Sequence, residues 1–129
     1  LFFAEAAEGF HFGAHLLGQF FFLGRELPLL LAAGLLALAR YPKVFVKISH
    51  TWSLSGGGYP YTDTFAQVKQ VYDAFGPQRC HWGTDYTNAI ARATWRQRIT
   101  HITEELDFLS ESDKDWIMGR SIMQRLKWA

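Results

Sequence analysis

The run Phe75-Gly76-Pro77-Gln78-Arg79-Cys80-His81-Trp82-Gly83-Thr84-Asp85-Tyr86 stops a helix, makes a strand and opens a loop. Gly76-Pro77 is a helix stop, because glycine takes the conformation past a helix end and proline cannot continue one. Residues 79–84 then read as a short strand, with Asp85 at its carboxyl end. Upstream, residues 62–75 read as an amphipathic helix. Phe65, Val68, Val71, Tyr72 and Phe75 form its apolar stripe, and Thr62 or Asp63 is the expected cap.

Before that helix, Lys43-Val44-Phe45-Val46-Lys47-Ile48-Ser49 is rich in β-branched and aromatic residues and almost wholly apolar. A strand covered on both faces reads this way, as in parallel sheets. Strand, helix and strand together make a βαβ unit, whose strands run parallel with a right-handed crossover. The class is therefore α/β.

Further out, Leu27, Leu30, Leu31, Leu35 and Leu38 recur at helical spacing over 26–40, and Pro42 ends that helix. The apolar run from Leu27 to Ala39 has thirteen residues, against roughly 20 needed to cross a bilayer, so a buried helix is expected and no membrane partner. Residues 1–24 are read as a loose helix or irregular arm. Past Asp85 a helix is expected over 91–108. Another opens at Ser110 with Asp113 three residues on, close to a capping box. Gly119 is read as a break before a last helix over 120–127.

Composition bounds the function. Hydrophobic residues are 49% of the chain, enough for a globular core. The net charge of +1 gives no footprint for nucleic acid. The single cysteine, Cys80, excludes an internal disulfide and a Cys-x-x-Cys zinc or redox site, and favours a cytoplasmic setting.

In a βαβ sheet, chemistry collects at the carboxyl ends of the strands. Two segments lie there, Ser49 to Ser53 and Asp85 to Asn88. If side chains alternate through Asp85, then Gly83 and His81 share its face. Asp85 reads as a general base or metal ligand, or as an ordinary turn cap; spacing leaves both open. His50 reads as a substrate contact or a surface histidine. Lys47, inside an apolar strand, needs a partner for its charge. His11 and His15 share a helix spacing but lack the acid of a zinc-protease motif. The glycines 56–58 lack a phosphate loop's lysine and read as a flexible lid beside Trp52, Tyr59 and Tyr61.

These residues resemble one family. Tyr41 to Ser49 is similar to the seventh-strand segment of the amidohydrolase-related (amidohydrolase family 2) TIM-barrel hydrolases. Phe75 to Tyr86 resembles their eighth strand, which commonly reads Gly-Pro-x-Arg, two residues, then Trp-Gly-Ser/Thr-Asp. Leu106 to Ser110 and Trp116 to Gly119 resemble their closing helices. The resemblance covers roughly residues 26–128, and implies an arm over 1–25 and a barrel portion over 26–129.

The resemblance implies the C-terminal part of a (β/α)8 TIM barrel, incomplete because a whole barrel takes about 250 residues and only two strands are read here. The family's first-strand His-x-His pair is not found in the chain, and Ala14 to Gly18 only distantly echoes its strand-six histidine segment. The implied activity is hydrolysis of an amide or lactone in a small cyclic or carboxylate-bearing substrate, lactonase-like, or decarboxylation in a sister branch. Asp85 would be the general base and, if a metal is used, its ligand. His50, Trp52 and Tyr86 would lie near the substrate, and Asn88 would meet its carboxylate. The cofactor is left open between a divalent, zinc-like metal and none. The partner is a small molecule. The alternative reading is an inactive barrel piece that forms homo-oligomers through exposed apolar surface.

Overall fold

The computed structural model describes residues 3–6, 27–86 and 91–128. In chain order the elements are β1 (Phe3–Ala6), α1 (Leu27–Ala37), β2 (Val44–Ser49), α2 (Thr51–Leu54), α3 (Phe65–Phe75), β3 (Cys80–Gly83), α4 (Trp95–Thr100), α5 (Glu111–Asp115) and α6 (Ser121–Leu126). Short 3-10 turns extend α1 through Arg40 and precede α3 and β3. π turns continue α4 through Glu105 and bridge α5 to α6.

β2 and β3 pair in parallel, Lys47 opposite His81 and Ser49 opposite Gly83, with α3 as the crossover. This is the βαβ unit that residues 43–85 predict. β1 pairs antiparallel to the other edge of β2, from Phe3 opposite Lys47 to Ala6 opposite Val44, giving a sheet ordered β1-β2-β3. Residues 3–6 are thus a strand rather than part of a helix or irregular arm. Four residues carry no readable period. It is the unpaired N–H and C=O groups along β2 that select this partner.

The core forms on one face of the sheet. Val44, Val46 and Ile48 point from β2 onto Val68, Val71 and Phe75 of α3, joined by Cys80, Ile102, Leu106 and Ile117. Each large aliphatic side chain so buried contributes roughly 1.5–3 kcal/mol. Phe45 and Lys47 take the opposite face. There His81 stacks on Phe45 at 5.3 Å, and Arg125 of α6 lies 4.3 Å over the same ring. The hydroxyl of Ser121 donates to Cys80 O at 2.7 Å. Its oxygen therefore accepts from His81 Nδ1, 2.6 Å away, which fixes the proton on that nitrogen. α6 thus closes the end of the sheet opposite Asp85.

Gly76 follows α3 at φ 74°, a conformation glycine takes without strain. Arg79 donates to Phe75 O at 2.9 Å and to Ala39 O at 2.9 Å. One side chain therefore satisfies carbonyls at the ends of two helical segments. The capping box at Ser110 and Asp113 forms as read. Other expectations change. Neither Thr62 nor Asp63 caps α3; the Asp63 carboxylate accepts from Ser55 Oγ and Gly56 N instead. The helix expected over 91–108 starts at Trp95, behind a capping box of Thr94 and Gln97, and its π turn ends at Glu105. Gly119 lies within a π turn and does not interrupt the helical path into α6. Among the described residues no helix is long and apolar enough to cross a membrane.

Candidate functional site

His50 and Asp85 follow the carboxyl ends of β2 and β3, and both leave the strand with positive φ, 66° and 43°. For residues other than glycine this left-handed geometry crowds Cβ against the backbone and costs on the order of 1–2 kcal/mol. Strain of this kind persists where surrounding contacts hold it, and it concentrates at functional sites. β3 ends at Gly83, so the turn aims Asp85, not an alternation running through it from His81. The two turns point the side chains at each other, and His50 Nδ1 lies 2.8 Å from Asp85 Oδ2.

The pair is mostly covered, with side-chain exposures of 17% and 21%. Burial pushes the His50 pKa below its ordinary value, against the opposing pull of the Asp85 charge. The imidazole is therefore held toward its neutral form. Nδ1 lies at ion-pair distance from the carboxylate but without hydrogen-bond geometry toward it.

Trp52, expected at the substrate, is instead buried at 2% exposure, packed with Tyr61 and Ala93. Tyr86 is open at 47% exposure and stands edge-on to Trp95. Asn88, His11 and His15 lie outside the described residues. The Lys47 side chain crosses Gly83, two residues before Asp85. The loop expected as a flexible lid is pinned. Tyr59 OH donates to Glu105 at 2.6 Å, Tyr61 OH donates to Arg92 O at 3.1 Å, and Asp63 holds Ser55 and Gly56.

Arg98 was not visible as a site residue in the sequence, where a charge on a helix reads as solvated. It is fully buried, at 0% exposure. Its guanidinium donates to Thr84 O at 3.0 Å and to Ala93 O from two nitrogens, at 3.2 and 3.1 Å. The rings of Trp52 and Tyr86 lie 5.0 and 4.9 Å from it.

Among the described residues no three of His, Cys, Asp and Glu gather as metal ligands. His50 and Asp85 provide two donors where a catalytic zinc takes three from the protein. The described residues by themselves do not fit such a centre, and no step below is routed through a metal.

Two strand ends joined in a parallel βαβ unit bring a carboxylate and an imidazole together at their mouths, the end of the strands where barrel folds place their chemistry. The family model for amidohydrolases matches residues 11–120, and the chain belongs to that family. Its domain is a TIM barrel, and the helix-rich surroundings of β2 and β3 agree with part of one. The membership supports an amidohydrolase-type hydrolytic function. Comparison with curated proteins and with solved structures gives no match.

Proposed function

We propose that Asp85 is the general base of a hydrolase acting on an amide or lactone in a small cyclic or carboxylate-bearing substrate. The observation that carries this is the contact between Asp85 and His50, two non-glycine residues in left-handed turns at adjacent strand ends. Such turns also occur at Tyr61 and Lys127, but only at His50 and Asp85 do they bring two titratable side chains into contact, and backbone strain clusters at functional sites.

In this reading the Asp85 carboxylate takes a proton from water as the water oxygen attacks the carbonyl carbon. The carbon–nitrogen or carbon–oxygen bond then breaks, and Asp85 returns the proton to the leaving nitrogen or oxygen. His50, 2.8 Å from Asp85 Oδ2, flanks the carboxylate and limits the positions its oxygens can take. Tyr86, exposed beside Asp85, offers a ring face to the substrate, and Asn88 is assigned to the substrate carboxylate. Trp52 supports the site from behind, through Arg98.

The test is turnover of an aryl lactone, dihydrocoumarin, and an anilide, 4-nitroacetanilide, by the whole chain and by Asp85→Asn. General-base catalysis of this kind is worth about 10²–10⁴-fold. The variant should lose that much with its circular dichroism unchanged. Turnover equal to that of the unmodified chain would overturn the assignment.

A further inference from the structure

The guanidinium of Arg98 is placed where it controls one peptide plane. Thr84 O, which accepts from Nη1 at 3.0 Å, belongs to the peptide whose nitrogen is that of Asp85. Fixing that carbonyl limits rotation about the Asp85 N–Cα bond, the angle found at 43°. The other donors hold Ala93 O, just before the Thr94 cap of α4. One planar fork therefore grips a carbonyl before Asp85 and another where the following loop enters α4. The rings of Trp52, two residues beyond His50, and Tyr86, next to Asp85, flank the same group. Burying a guanidinium is costly unless its donors are used, and here they are used on the backbone around Asp85. Lysine keeps the charge but cannot span two carbonyls as a fixed fork.

We propose that Arg98 is the positioning residue for Asp85: by holding the Thr84 carbonyl it keeps the left-handed turn that directs the carboxylate to His50. The assignment rests on the reading of Asp85 as the general base, and its test separates the two.

The primary readout is the titration of His50, followed by NMR of the ring carbon in ¹³C-histidine-labelled whole chain. Asp85→Asn removes the neighbouring charge that raises the His50 midpoint, so the midpoint falls. Arg98→Lys keeps the positive charge, which itself lowers the His50 value, and loosens the turn, so the midpoint falls toward the Asp85→Asn value. A midpoint in Arg98→Lys equal to that of the unmodified chain overturns the proposal. The second readout is kinetic, with dihydrocoumarin. Misplacing a reacting group by an ångström costs about 10²-fold, so Arg98→Lys should lose kcat on that order with KM within about twofold. A change confined to KM also overturns it. Full turnover by Asp85→Asn would instead defeat the general-base reading, while the His50 midpoint still decides whether Arg98 sets the turn. If Arg98→Lys does not fold, it is combined with Asp85→Gly, because glycine takes a positive φ without strain. Recovered folding supports the proposal, and continued unfolding overturns it.

Discussion

Lys47 fills the space that a side chain at position 83 would need. A Cβ built on Gly83 would lie 2.1 Å from Lys47 Cε and 3.1 Å from its Cδ. The glycine of the Trp82-Gly83-Thr84-Asp85 segment, with φ outside the positive region, leaves room for the Lys47 side chain from the neighbouring strand to lie across it. Gly83→Ala should displace the end of the Lys47 side chain. Because the end of a lysine can swing aside, the cost should sit at the low end of overpacking, about 1 kcal/mol. Urea unfolding should show that loss, and the double variant Gly83→Ala/Lys47→Ala should recover part of it. Equal stability of Gly83→Ala and the unmodified chain would contradict the packing.

Two histidines make the fold sensitive to mild acid. His50 and His101 are both held below the ordinary value of 6.5 by burial. His101 is fully buried, with Nδ1 donating to Pro60 O at 3.1 Å and Nε2 without a hydrogen-bond partner among the described residues. Because the folded pKa values are depressed, the unfolded chain binds more protons just below pH 6.5, and stability rises with pH there. The contribution is complete above that value and is lost as pH falls through the folded pKa values. Asp63 and Asp113, lowered by hydrogen bonds from Ser55 and Ser110, act in the same direction but only below their ordinary value of 3.8. Urea midpoints should therefore drop already between pH 6.5 and 5. His101→Gln, which keeps a donor for Pro60 O but does not titrate, should flatten that slope. An unchanged slope would remove His101 as its source.

The Cys80 thiol has no exposure, and burial pushes its pKa up to about 12. Thiolate is the reactive form, so the native protein should be inert to a disulfide reagent at pH 8. One thiol should react on adding urea. Fast labelling of the native chain would show that the β3 core opens readily.

Much of this architecture is legible locally. Gly76-Pro77 ends α3 where the residues say it should, because a helix stop acts through the backbone of its own segment. Ser110 and Asp113 form their capping box for the same reason, since both partners lie within one turn. Asp85 is legible as a residue worth attention at a strand end. Its contact with His50 is not, because the two lie far apart in the chain and meet only through the pairing of β2 with β3. Trp52 reads as a loop aromatic facing a ligand. Its burial depends on Arg98 and Ala93 arriving from the region after β3.

The βαβ unit, its helix stop and the family resemblance are readable from neighbouring residues, which carry the hydrophobic period, the β-branched content and the Trp-Gly-Thr-Asp segment. The pairing of Phe3–Ala6 with β2, the place of Lys47 across Gly83 and the burial of Arg98 beside the Asp85 turn emerge only once the chain has folded. Each of these joins groups distant in the chain. What selects such a contact is the cost of leaving a strand edge, a lysine stem or a guanidinium without partners once the core has closed, a cost that no stretch of the chain carries alone.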